Sequence, residues 1–171
     1  IGLSRKNIMK RMVQRAVSVV AAITMLSALG ACGGGQSANG SDEDAINVVA
    51  SVNQWGTVAK ALGGGNVNVT SIINSTNVEA HDYEPTTADI AKLQKAQVIV
   101  VNGADYDSWA VKAAKSTKAN IVNAAEVSGK KSGDNPHVWF SAQVREDTAK
   151  AITAAYKKAV PSKADDFDKL Y

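Results

Sequence analysis

The sequence predicts an α/β fold: one lobe built on a parallel sheet, with helices on both faces. Three observations carry that expectation. From Ala45 onward, short apolar runs alternate with stretches of helical period, the order that right-handed βαβ units produce. Gln97-Val98-Ile99-Val100-Val101 is almost wholly apolar, as strands buried on both faces of a parallel sheet are. The only two histidines among 171 residues, His81 and His137, each follow a strand-like run, which places both on loops at one edge of the sheet.

The chain opens with Arg5, Lys6, Lys10, Arg11 and Arg15, followed by an uncharged stretch from Ala16 to Ala31. That stretch has signal-peptide character and falls short of the roughly 20 strongly apolar residues of a spanning helix. Residues 1–31 are therefore read as a lipoprotein signal peptide, with Met9 or Met12 as candidate starts. Leu29-Gly30-Ala31-Cys32 resembles the lipobox of bacterial lipoproteins, in which cleavage exposes the cysteine for lipid attachment. Cys32 is the single cysteine, so lipidation gives an otherwise odd thiol a purpose. Residues 32–44, rich in Gly, Ser, Asn and acidic side chains, cannot bury enough apolar surface to offset their ordering entropy and read as a flexible tether.

Residues 45–160 form the expected lobe. Ile46 to Ala50 is a strand. Trp55, Val58, Ala59 and Leu62 then recur at helical spacing until Gly63-Gly64-Gly65 stops the helix. This glycine run follows a helix instead of opening one, so it is a stop and not a phosphate cradle. Val67 to Ile73 is a second strand, leading into the His81 loop. Thr86 caps the next helix with Asp89 three residues on, and Ile90 and Leu93 face inward. After the Gln97–Val101 strand, Asp105 to Lys115 reads as a helix with Trp109 and Ala113 on its buried side, started by Asp105 and Asp107. Asn120 to Asn123 is a fourth strand. Val144, Thr148, Ile152, Ala155 and Ala159 mark a long helix that Pro161 ends. Phe167, Leu170 and Tyr171 begin a further amphipathic helix, so the sequence is expected to continue beyond Tyr171.

The chemistry lies in two segments, His81-Asp82-Tyr83-Glu84-Pro85 and Asn135-Pro136-His137-Val138-Trp139-Phe140. A neutral imidazole is the commonest metal ligand, and zinc accepts nitrogen at about 2.0–2.1 Å in a site of four ligands. Two histidines supply half of such a site. Asp82 and Glu84 flank His81 and could fix its tautomer. Pro85 and Pro136 restrict the backbone beside each candidate ligand and lower the entropy lost on ordering it. Trp55, Trp109 and Trp139 are expected to pack and not to touch a ligand. The formal charge is +3, but setting aside the five basic residues at the front leaves 14 Lys+Arg against 16 Asp+Glu. That balance argues against nucleic acid as a partner.

From about Val48 to Tyr171 the sequence resembles the N-terminal half of the zinc- and manganese-binding solute-binding lipoproteins that serve ABC importers. The matching features are Trp55 with Gly64-Gly65 after it, His81-Asp82-Tyr83-Glu84-Pro85, a strand running into Asn102-Gly103, Trp109, and Pro136-His137-Val138-Trp139. The resemblance implies two α/β lobes joined by one long helix, whose start would be residues 161–171, with a divalent metal held between the lobes. It implies His81 and His137 as the ligands of the first lobe, with Asp82, Glu84 and Asn135 around them. Three positions depart from the commoner pattern: Asn135 and Ser141 stand where aspartates are usual, and Asp107 where a glutamate is.

The function so implied is extracytoplasmic capture of zinc, or of manganese, for delivery to a membrane permease. It implies a monomer, lipid-anchored to the bacterial cell membrane through Cys32, without an organic cofactor or covalent chemistry. Two other readings differ in class. One is a lipid-anchored metal-dependent hydrolase with Glu84 as base. The other is an adhesin-like surface lipoprotein, which would keep its partner after both histidines were replaced.

Overall fold

The computed structural model describes residues 45–171. The signal segment, the tether and Cys32 lie outside the described residues. Strand β1 (Ile46–Val52) runs into helix α1 (Asn53–Gly63), and β2 (Val67–Ile73) leads through a long loop to α2 (Thr87–Lys95). Then come β3 (Val98–Val101), α3 (Ser108–Ala114), β4 (Asn120–Asn123), the short α4 (Ala124–Val127), α5 (Ala142–Ala159) and α6 (Ala164–Leu170). The four strands form one parallel sheet in the order β2-β1-β3-β4. Chain progression reverses between β1 and β3, which makes that pair the topological switch point where ligands bind in open α/β sheets.

The sheet is covered on both faces because successive strand residues point to opposite sides. Val48, Ala50, Val98, Val100 and Val122 face Trp55, Ala59, Ile152, Tyr156 and Phe167 on one side. Val49, Ile99 and Val101 face Leu93, Ala110 and Ala114 on the other. Trp55, Tyr156 and Phe167 are fully buried, and aromatic side chains of that kind remove about 150–250 Å² each from water. The Tyr156 hydroxyl, deep in this layer, donates to Ala59 O at 2.9 Å, so the burial leaves no orphaned donor.

Local signals explain most boundaries. Thr86 and Asp89 form a complete capping box at the start of α2, and Ser141 Oγ accepts from Val144 N at the start of α5. Gly64, at φ +54°, ends α1, and Lys60 Nζ reaches its carbonyl at 2.7 Å. Helix α3 departs from expectation. It begins at Ser108, not Asp105, and its fully buried residues are Ala110 and Ala114, with Trp109 and Ala113 half-buried. Asp107 stands at the N-cap position, but neither acidic side chain caps the helix. Asp105 lies at φ +64°, outside any helix, and the Asp107 carboxylate is drawn away to backbone N–H groups of the preceding turn. No helix among the described residues is long and apolar enough to cross a membrane.

Candidate metal site

His81 follows β2 and His137 follows β4, the two outer strands, so both loops must fold inward over the carboxyl end of the sheet to meet. They do so at Tyr106, in the turn after central strand β3. The His81 ring stands edge-on to Tyr106 at 4.8 Å between centroids, and the His137 ring lies 5.9 Å from it. Trp139 closes the other side, 5.0 Å from Tyr106 and 5.3 Å from His137. Both imidazoles are exposed, yet each adjoins a buried apolar residue, Ala80 before His81 and Val138 after His137, that seats its loop in the core.

The His137 loop is held by polar contacts from below. Asn102, fully buried at the end of β3, donates through Nδ2 to Pro136 O at 2.8 Å and accepts the Trp55 indole N–H at 3.0 Å. Asn102 in turn is fixed by Asp107, whose two carboxylate oxygens accept the backbone N–H groups of Asn102 and Gly103 at 2.7 and 2.8 Å. Burial pushes the Asp107 carboxyl up from its ordinary range, against those N–H groups, which hold it down. Gly103 cannot be replaced here without strain, since it sits at φ +78° and a Cβ would run into Asn123 and Ala125.

Asn135 decides the protonation pattern of His137. Its Oδ1 accepts the His137 backbone N–H at 3.0 Å, and the same oxygen lies 3.0 Å from Nδ1. An oxygen that accepts the backbone donor can face only a protonated Nδ1, which leaves the Nε2 lone pair free for a metal ion.

Around His81 the arrangement differs from expectation. Asp82 and Glu84 are exposed, and neither hydrogen-bonds the His81 ring. The reason is Tyr83, which turns inward between them to pack on Trp109 at 5.0 Å and to donate to Asp89 Oδ2 at 2.8 Å. That leaves its two neighbours facing water. The carboxylate whose charge is felt with His81 is instead Asp105, held below the ordinary range first by the Ser132 hydroxyl, then by Gly133 N–H, and also by the nearby imidazole. Among the described residues no group of three or more His, Cys, Asp or Glu side chains is placed to hold a metal ion, so the pair is at most half of a coordination shell.

Asp89 anchors the whole His81 loop. Besides Tyr83, it accepts from Thr86 N at 3.0 Å, Thr86 Oγ1 at 2.6 Å and Lys92 Nζ at 3.1 Å. Burial alone raises the Asp89 carboxyl, but these donors prevail and hold it well below the usual carboxylate range. A group depressed in the fold stabilises it above the unfolded pKa of about 3.9, and that contribution is lost as pH falls through and below this value. Urea unfolding at stepped pH is expected to show this acid limb, and Asp89→Asn to flatten it. An unchanged limb in the variant contradicts the anchor.

Tyr106, Asn102 and Asp89 were not identified as site-building residues by sequence reasoning. The signal for the first two was the Asn102-Gly103 turn closing an apolar strand at the sheet's carboxyl end, the usual place for ligand-positioning residues.

Comparison with known proteins places the fold in a family. Residues 48–171 match the family described as zinc-uptake complex component A, periplasmic. The chain belongs to that family. Its members serve ABC importers as metal-binding solute-binding proteins. The high-affinity zinc uptake system protein ZnuA of Bacillus subtilis is 30% identical over 190 residues, covering 90% of this chain and 59% of that protein. The manganese-binding lipoprotein MntA of the same organism is 28% identical over 152 residues, covering 83% and 49%. The crystal structure of the metal-dependent lipoprotein YcdH from Bacillus subtilis superposes with a TM-score of 0.66 at 32% identity, covering 73% of this chain and 48% of that one. The chain thus spans about half the length of the relatives it matches.

Proposed function

We propose that this chain captures a divalent transition metal outside the cytoplasm, through His81 and His137, for delivery to the permease of an ABC importer. The observation that carries the reading is the convergence of two exposed imidazoles from opposite sheet edges on one Tyr106 ring, with the Asn135 contact at Nδ1 leaving Nε2 of His137 as the free donor. Nitrogen donors suit zinc better than manganese, which favours oxygen, so zinc is the preferred cargo and manganese the alternative. Relatives named for each metal support the class and leave the choice to the ligand set.

In the same reading, residues 1–31 direct export, Cys32 carries the lipid, 32–44 tether the lobe, 45–160 form it, and 161–171 begin a connecting helix. The protein then works as a monomer on the outer side of the cell membrane, with no organic cofactor. Capture needs no covalent step. Glu84, the base of the hydrolase alternative, is exposed and makes no contact with His81 that would place it beside an activated water. Calorimetry with zinc is expected to give one ion per chain, and incubation with ester or peptide substrates to give no turnover. Turnover that disappears in Glu84→Gln would overturn capture in favour of hydrolysis.

A further inference from the structure

The loop that brings in His137 is poorly supported by apolar packing. Residues 128–135 are largely exposed, and an open cavity of about 390 Å³ separates Lys130 to Ser132 from the β3 turn and α3, with Gly103, Ala104, Asp105 and Ser108 among its lining. Across it runs one connection: Asp105 Oδ2 accepts the Ser132 hydroxyl at 2.6 Å and Gly133 N–H at 2.9 Å. Gly133 is itself left-handed, at φ +85°, in a turn closed by Asp134 N to Lys131 O at 3.1 Å. Asp105 reaches this turn only because Ala104 and Asp105 adopt φ values of +48° and +64°, the two non-glycine residues with positive φ among those described. Backbone in that region is sparsely populated and persists where the surroundings over-determine it. Tyr106, which touches both histidines, is the next residue.

We propose that Asp105 is a positioning residue, a clasp that ties the Tyr106 turn to the His137 loop and so sets the separation of the two imidazoles. The inference rests on the metal-capture reading for its consequence, though not for its geometry. Both bonds end on one oxygen, so an amide oxygen in place of the carboxylate can accept both, though more weakly than an ionised one. The clasp therefore acts chiefly through hydrogen-bond acceptance, which the amide of Asp105→Asn keeps.

The test compares the protein with its Asp105→Ala, Asp105→Asn and Ser132→Ala variants by zinc calorimetry, thermal unfolding and ring-to-ring nuclear Overhauser effects. Asp105→Ala is expected to weaken zinc binding about tenfold or more, as loss of an outer partner does. It should also lose the Tyr106–His137 ring contact while keeping Tyr106–His81 and the unfolding temperature. Asp105→Asn restores both readouts, and Ser132→Ala, from an exposed position, shifts affinity the same way by a smaller factor. Unchanged affinity in both Asp105→Ala and Ser132→Ala, or an Asp105→Asn as weak as the alanine variant, overturns the clasp. A parent protein that binds no zinc overturns capture instead, while the ring contacts, measured without metal, still decide the clasp.

Discussion

Replacing His137 by alanine lowers zinc affinity by more than about 100-fold, beyond the range of 10–100-fold typical of an outer partner. The same is expected of His81→Ala, and the double variant loses little more than either single one. An ion held by two imidazoles from one lobe cannot be retained by one, because each nitrogen fills part of the same coordination shell. Asn135→Ala provides the graded comparison. It leaves both ring nitrogens in place but removes the oxygen that keeps the proton on His137 Nδ1, so its loss stays within 10–100-fold. Competition against a zinc chelator reads all four proteins on one scale. Independent, additive losses from the two histidines would mean two separate weak sites, contrary to this account.

Asn102→Ala is the substitution expected to damage the fold most. It leaves the Trp55 indole N–H without its partner in buried surroundings and removes one of the two donors to Pro136 O, which keeps the Val138 N–H at 2.8 Å. An unsatisfied buried group costs about 1–3 kcal/mol, and that one group, with a lost bond to Pro136 O and a small cavity added, places the destabilisation at about 2–4 kcal/mol. Urea unfolding monitored by tryptophan fluorescence measures it directly, since Trp55 reports on the broken contact. The same variant cuts the bond that ties Pro136 to the end of β3, so zinc affinity is expected to fall with stability. Stability within 0.5 kcal/mol of the parent, the usual span for surface changes away from such features, would show that Asn102 is not a hub.

The layered architecture was legible because the apolar runs are unambiguous. Val98 to Val101 is buried on every residue, and the period of α5 matches its buried stripe of Val144, Thr148, Ile152 and Ala155. The α3 start was not, because a carboxylate ahead of a helix looks like a cap whichever donors it finds. Asp107 finds the Asn102 and Gly103 N–H groups, and Asp105 finds a loop 27 residues away. Short-range patterns carry no trace of that second partner.

The site divides in the same way. His81 and His137 could be picked out as rare residues on loops that follow strands, and Asn135 as the neighbour of a candidate ligand, although the loops leave opposite sheet edges and meet only over the carboxyl end. That Tyr106 stands between them depends on where the β3 turn delivers its side chain, which follows from the sheet order and not from spacing. Asp82 and Glu84 were assigned to His81 by proximity in sequence. The inward turn of Tyr83, set by Trp109 and Asp89, sends them to solvent instead.

The central claim is that a single ion touches both His81 and His137. Long-range proton–nitrogen spectra of the two imidazoles, recorded while zinc is added stepwise, test it most directly. The account predicts that both Nε2 resonances move together and are complete at one equivalent, with the Nδ1 proton of His137 retained. If one imidazole responds alone, or the two saturate at different zinc ratios, the histidines do not share an ion.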